Sequence, residues 1–240
     1  MTAAARPAGP TSWLRLRVAV IDRLVALVLL PVLAPLLAVI AWRIRRSDGP
    51  PVVIGLERIG RDGRPFRMWK FRTMRAEAPG GSAGGAVITA VGDDRVTPLG
   101  HRLRRYRADE LPQLVNIVRG EMAFVGPRPE TPSLVDPDDP SWAAVLTARP
   151  AITGPTQLVM EHWEASSLAA GSQEERYRHE ILPVKLAVDR WYLEHAGIGT
   201  DLQVAWSMVQ RFALGRPETS VQARVRREVP EVAVVPLGEG

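Results

Sequence analysis

The stretch LVALVLLPVLAPLLAVIAW, Leu24 to Trp42, is nineteen residues without a charge, close to the length that one pass through the hydrocarbon core of a bilayer requires. No other feature restricts the fold as much, because a segment this apolar must be covered by lipid or by a large core. The length of the run, its late start and its bulky Ala41-Trp42-Arg43 end argue against a cleaved secretory signal. Arg15, Arg17 and Arg23 precede it, and Arg43, Arg45 and Arg46 follow it. Excess positive charge marks the cytoplasmic side of a membrane segment, and here both flanks carry it. A spanning helix cannot put both flanks on one side, whereas a helix-break-helix hairpin that enters and leaves by the same face can. Pro31 and Pro35 are the natural break points, since each removes a backbone donor and clashes with the preceding turn. A spanning helix kinked by proline fits the same residues, so both readings stand at this point.

The chain carries a formal charge of +5 and a pI near 10.3, which points to an anionic partner: nucleic acid, anionic lipid or a phosphorylated small substrate. It has no cysteine, so disulfides, thiolate metal sites and thiol nucleophiles are excluded, and any metal must be held by oxygen or histidine. Of 31 basic residues only Lys70 and Lys185 are lysines. Lys70 stands out because a compact ammonium is kept where arginine is the default.

After the apolar run, SDGPPVVIGLERIGRDGRPFRMWKFRTM runs from a turn at Asp48-Gly49-Pro50 through a short apolar strand to a second turn at Asp62-Gly63 with strand-like residues on both sides, and reads as a β-hairpin. Alternation puts Phe66, Met68, Lys70 and Arg72 on one face. Lys70 and Arg72 are then either two solvated charges or a two-pronged phosphate grip. The following AEAPGGSAGGAVITAVGDD reads as a mobile Gly- and Ala-rich loop, too irregular to be a nucleotide-binding glycine motif.

In RLRRYRADELPQL, two adjacent carboxylates, Asp109 and Glu110, follow four arginines. Leu111, Leu114, Val115 and Val118 have helical spacing and Gly120 is a plausible C-cap, so the acidic pair falls at a helix start, where Pro112 is tolerated. There the helix dipole and nearby arginines are expected to lower the Asp109 pKa and keep it ionised. Such a carboxylate suits a cap, a Mg²⁺ ligand or a nucleophile towards phosphorus or carbon. Further on, FVGPRPE sets Arg128 between two prolines, either as a fixed fork for a diphosphate or as an ordinary loop arginine.

Taken together, KFRTM (Lys70 to Met74), DDRVTPLGHRLRR (Asp93 to Arg105), DELPQLVNIVRGEMAFVGPRPE (Asp109 to Glu130) and RPAITGPTQ (Arg149 to Gln157) resemble, in the same order, the bacterial sugar transferases, the monotopic polyprenyl-phosphate phosphoglycosyl transferases. The resemblance runs from about Asp22 to Leu214. It implies an enzyme of the cytoplasmic membrane, catalytic domain on the cytoplasmic face, that moves a sugar-1-phosphate from a UDP-sugar to undecaprenyl phosphate and starts a lipid-linked glycan such as an exopolysaccharide. By that resemblance Asp109 is the nucleophile that attacks the β-phosphorus, releases UMP and carries the phosphosugar, with Glu110 as its partner. Bringing a carboxylate to a diphosphate requires positive charge, so Mg²⁺ held by Asp109 and Glu110 is expected, with Lys70, Arg72, Arg105 and Arg128 as substrate-binding cations. The resemblance also favours the re-entrant hairpin, with Ala34-Pro35 standing where the family has a Ser-Pro pair. Leu56, where glutamine is common, and GPTQLVMEHWE, where the usual pattern is GLAQVNGR, are departures.

The expected architecture is a helix-rich α+β fold. It comprises a lead over residues 1–12, a re-entrant membrane helix over 13–46, a catalytic domain over 47–215 containing a small β-hairpin, and a tail over 216–240. Trp191, Tyr192 and Trp206, near Arg190 and Arg211, belong either to a membrane-interface helix or to an aromatic core. Two other functions remain to be separated from the transferase. One is a membrane-tethered basic module for anionic lipid or nucleic acid, which lacks any recognisable nucleic-acid fold; the other is metal-assisted diphosphate hydrolysis.

Overall fold

A computed structural model describes residues 12–75, 94–167, 173–212, 214–216 and 218–235. The predicted N-terminal lead and the Gly- and Ala-rich loop, apart from Ser12 and Asp94, lie outside the described residues. The apolar run forms the centre of one long helix, α1 (Ser12–Asp48), with a widened π turn at Arg17–Ile21. Helical geometry continues through Pro31 and Pro35, so the expected break into two helices at these prolines is not present. The two rings lie four residues apart on the exposed face, where they do not meet the packed side of the body. Opposite them, Ala26, Leu30, Leu33, Leu37, Ile40 and Ile44 recur every three or four residues and pack on two small apolar clusters. That inner stripe holds the helix against the body along its length. The outer face, Leu27, Val28, Val32, Leu36, Val39 and Trp42, is 48–67% exposed.

Strands β1 (Val53–Ile59) and β2 (Pro65–Phe71) form the predicted antiparallel hairpin, Ile54 opposite Lys70 and Ile59 opposite Pro65. Its turn places Asp62 and Gly63 in the left-handed region, φ 58° and 70°, which aspartate and glycine tolerate better than other residues. Phe66 and Met68 point into the cluster under α1, and Phe71 points into the other with Ile40, Ile44 and Leu103. The strand is therefore covered on both faces at the end that carries Lys70.

Helix α2 (Pro98–Arg105) starts at Thr97, whose hydroxyl accepts from the Gly100 N–H at 3.0 Å. Helix α3 (Leu114–Arg119) ends, as expected, at Gly120 in the left-handed region, φ 75°. A side chain there would collide with the Arg23 guanidinium of α1, 1.8 Å from the site of a Cβ, so this glycine both caps one helix and admits another. The main core is built on a parallel strand pair, β3 (Ala123–Val125) and β4 (Ala151–Thr153). Around it pack α4 (Pro140–Val145), α5 (Pro155–Ser167), α6 (Gln173–Arg176) with its π turn Tyr177–Ile181, α7 (Leu182–His195), α8 (Ile198–Phe212) and α9 (Ser220–Glu228).

Two expectations about the C-terminal third are resolved by burial. Trp191 and Tyr192 on α7 are core residues, whereas Trp206 on α8 is exposed, in line with exposed Ile198, Leu202 and Val209. The predicted tail is part of the fold: Thr219 and Gln222 form a reciprocal capping box, and Val221, Val225, Val229, Val232 and Val235 enter the main core. The Gln222 amide also donates to the Leu158 carbonyl at 2.6 Å.

Both ends of α1 are bound to this one body. At its start, Arg17 bridges Asp22 (3.4 Å) and Asp201 (2.6 Å) and donates to the Val125 carbonyl (2.5 Å). At its end, the Asp48 and Gly49 carbonyls accept from the Arg72 guanidinium at 2.5 and 2.6 Å.

Candidate active site

The acidic pair sits between α2 and α3 in a 3₁₀ turn, Ala108–Gln113, entered through Arg107 at φ 55°. The sequence predicts an α-helical start here. Pro112 explains the difference, because it cannot donate and disfavours the α region for Leu111 before it, so the α-helix begins only at Leu114. In a 3₁₀ turn side chains three apart eclipse one another, and Arg107 accordingly lies 3.7 Å from Glu110.

Glu110 is a saturated carboxylate. Lys70 Nζ donates to its Oε1 at 2.8 Å, and the two terminal nitrogens of Arg128 reach Oε1 and Oε2. Burial by itself raises its pKa, but Arg128 and Lys70 outweigh that and hold it far below the usual carboxylate range. Lys70 is in turn lowered by burial, against the pull of Glu110. Arg128 also donates to the Ile152 carbonyl at 3.0 Å, so the fork is fixed on both sides.

Asp109 is the opposite case. It is as buried as its neighbour, yet among the described residues its carboxylate accepts no hydrogen bond and makes no ion pair. Burial raises its pKa; Lys70, Arg104 and Arg107 pull the other way, and Glu110 adds to the rise. The expectation of a depressed pKa is thus corrected, because desolvation at this position exceeds whatever the turn's dipole and the arginines supply. When ionised, such a group is more basic than an ordinary aspartate and has its lone pairs free.

Lys70, Glu110 and Arg128 are brought together with Asp109; Arg72 and Arg105 are not. Arg72 is 2% exposed and its side chain ties down the end of α1. Arg105 is exposed, its guanidinium 5.8 Å from the Tyr106 ring centroid. Arg104 takes its place: its Nε donates to Thr73 Oγ1 at 2.8 Å and its charge acts on Asp109. Choosing between Arg104 and Arg105 requires knowing where α2 ends and how it is rotated, which a run of arginines does not reveal.

The match with known proteins covers the whole of this arrangement. The sequence profile described as "Bacterial sugar transferase" matches residues 13–215. This chain belongs to the bacterial sugar transferase family. A UDP-glucose:undecaprenyl-phosphate glucose-1-phosphate transferase of Caulobacter vibrioides is 34% identical over 83% of this chain and 71% of its own length. A UDP-N-acetylgalactosamine-undecaprenyl-phosphate N-acetylgalactosaminephosphotransferase of Aeromonas hydrophila is 30% identical over 81% of this chain but 43% of its own length. An exopolysaccharide production protein of Rhizobium meliloti is 31% identical over 81% and 84%. The family is one of sugar-phosphate-transferring enzymes, and α1 is the apolar, membrane-type helix of this member. The element α9 lies beyond the matched region.

A divalent cation fits this site in a narrower way than two carboxylates would suggest. No group of three His, Asp or Glu side chains able to hold a metal exists among the described residues. Glu110 could ligate one only by giving up Lys70 and Arg128. Asp109 has free oxygens, and Mg²⁺ is commonly held by one or two carboxylates with the remaining positions filled by substrate phosphate and water.

Proposed function

We propose that this protein transfers a sugar-1-phosphate from a UDP-sugar to undecaprenyl phosphate, releasing UMP, by way of a phosphosugar carried on Asp109. The observation that carries the reading is the division of labour in the acidic pair: Glu110 is spent on binding Lys70 and Arg128, and Asp109 has no partner among the described residues. A carboxylate whose lone pairs are already engaged is a poor nucleophile, so only Asp109 is available to attack. The names of the relatives supply the substrates. They differ in the sugar, and the transferred sugar is left open here.

In the first half-reaction an Asp109 oxygen forms a bond to the sugar-bearing phosphorus while the bond from that phosphorus to the bridging oxygen breaks, and UMP departs with the electron pair. In the second, an oxygen of the lipid phosphate forms a bond to the same phosphorus and Asp109 leaves as a carboxylate. Lys70, Arg128, Arg104 and Arg107 surround the dyad with positive charge, which offsets the repulsion between carboxylate and diphosphate. Mg²⁺, held by Asp109 and the diphosphate, would supply further charge neutralisation when bound.

The membrane arrangement follows from α1 and α8. A helix bound to one body at both ends does not deliver either end to the far side of a bilayer about 30 Å thick, so we infer that α1 keeps both ends on the cytoplasmic face of the inner membrane and sinks its exposed apolar side into that leaflet. The exposed stripe Ile198, Leu202, Trp206 and Val209 of α8 suits the same membrane interface and supports this reading. An N-terminal tag reached only from the periplasmic side would overturn this topology.

The decisive experiment incubates the detergent-solubilised full chain with a panel of UDP-sugars and Mg²⁺, without lipid acceptor. UMP release close to one per protein, with a phosphosugar mass recovered on Asp109, is expected. Continuous UMP release with free sugar phosphate would indicate hydrolysis instead, and none with any UDP-sugar would leave only an anion-binding module.

A further inference from the structure

The second lysine of the chain lies on the other side of the turn that carries Arg128. Glu130, two residues after Arg128, accepts from Lys185 Nζ at 2.5 Å and from the Tyr177 hydroxyl at 2.7 Å. Lys185 and Tyr177 are themselves 2.5 Å apart, with Nζ 5.0 Å from the ring centroid. All three groups are largely shielded from solvent, Lys185 at 6% and Tyr177 at 3% exposure. A buried charge pair of this kind gives little net stability over an apolar replacement, so its presence calls for another account.

The 127–130 turn offers one. Backbone bonds hold its two ends, from Ala151 N–H to the Pro127 carbonyl at 2.7 Å and from Ile59 N–H to the Glu130 carbonyl at 2.9 Å. Beside it, however, is a cavity of about 20 Å³ whose lining includes Arg128, Glu130, Trp142 and Leu146. Packing therefore leaves a gap next to the turn about large enough for one water. With prolines at 127 and 129, few torsions separate the Glu130 carboxylate from the Arg128 guanidinium. Fixing one fixes the other.

We infer that Lys185 and Tyr177 are positioning residues for the donor diphosphate: by clamping Glu130 they set the angle at which Arg128 meets Glu110 and the substrate. Neither needs to touch substrate. The inference rests on the proposed role of Arg128 as a diphosphate-binding group, and it predicts that Lys185 acts through Arg128.

The test is the affinity of the full chain for UDP, measured by calorimetry in detergent for the wild type, Lys185→Met, Arg128→Ala and the double variant. Lys185→Met should weaken UDP binding about tenfold, the scale of one lost buried ionic partner, and should add nothing in the Arg128→Ala background. Lys185→Arg should recover part of the affinity and Tyr177→Phe should lose less. Because Lys185→Met takes the ammonium from Glu130 and leaves it with the Arg58 charge nearby, Lys185→Met/Glu130→Gln serves as the second variant; it removes both charges of the pair and should fold while still binding UDP weakly. Unchanged affinity in folded Lys185→Met, or equal losses with and without Arg128, would overturn the inference, as would a wild type that does not bind UDP. UDP binding is read separately from UMP release, so a failure of transfer chemistry and a failure of the clamp give different results.

Discussion

The root of the membrane helix and the acidic turn each bury a cluster of opposite charges, and the two clusters differ in what they leave over. At the root, Asp22 takes Arg17 and the Phe124 N–H, while Asp201 takes Arg17, the Tyr192 hydroxyl and the Trp13 indole. Every carboxylate there has a partner, and the cluster joins α1, β3, α7 and α8. At the turn, Glu110 is equally well served, but Asp109 beside it has no partner among the described residues. Leaving a buried polar group unpaired costs free energy, and the fold carries that cost at Asp109. Closed clusters hold elements together; an open one is where a ligand or a reacting atom is expected.

The largest test of that contrast is Asp109→Asn. UMP release should fall by about 10⁴-fold or more, removal of a covalent nucleophile costing up to about 10⁶-fold, with the melting temperature unchanged or raised. A loss below about tenfold would remove Asp109 from the role. At the closed cluster the opposite pattern is expected. Arg17→Met leaves two buried carboxylates facing each other without their cation and should destabilise the fold by about 3–5 kcal/mol, read by thermal melting at matched detergent. If Arg17→Met melts like the wild type, the cluster is not what fastens α1.

Asp189 sharpens the comparison through pH. It is fully buried on α7, and burial pushes its pKa up to about 7, although Thr156 donates to it at 2.5 Å and Lys185 lies nearby. In the unfolded chain it titrates near 3.9. The folded state therefore binds the proton more tightly, so the stability this group contributes is fully present below about pH 4 and lost as pH rises to about 7. Asp189→Asn should flatten this slope, gaining on the wild type by a few kcal/mol between pH 5 and pH 8. Parallel melting curves for the two proteins would contradict the assignment. The smallest effect separates two neighbours: Arg104→Ala should lower UMP release about tenfold, roughly 1.4 kcal/mol, and Arg105→Ala should leave it within about twofold.

Much of the site was legible because it is local. Asp109-Glu110 before Leu-Pro, Arg128 between prolines, the lone lysine on a strand and the Asp62-Gly63 turn are short patterns whose geometry follows from nearby residues. Arg72 was misplaced for a long-range reason. Strand alternation puts it on the face of Lys70, but the end of α1, more than twenty residues earlier, supplies the carbonyls that capture it. Trp191 and Trp206 look alike in sequence, but Trp191 lies in the main core, its indole donating to the Glu228 carboxylate of α9 at 2.7 Å, while Trp206 is exposed. The valines of 221–235 read as a tail because their spacing means little until a core is present to receive them.

The sequence by itself determined that the chain has one membrane-type helix with positive flanks, a hairpin after it, and a dyad set among arginines. These are properties of composition and period, which the chain carries without folding. Tertiary structure decided which carboxylate is bare and which is clamped, which arginines face them, and that both ends of the apolar helix return to one body. Those outcomes depend on desolvation and on partners distant in the chain, and each arises only when burial removes the water that would otherwise serve every charge alike.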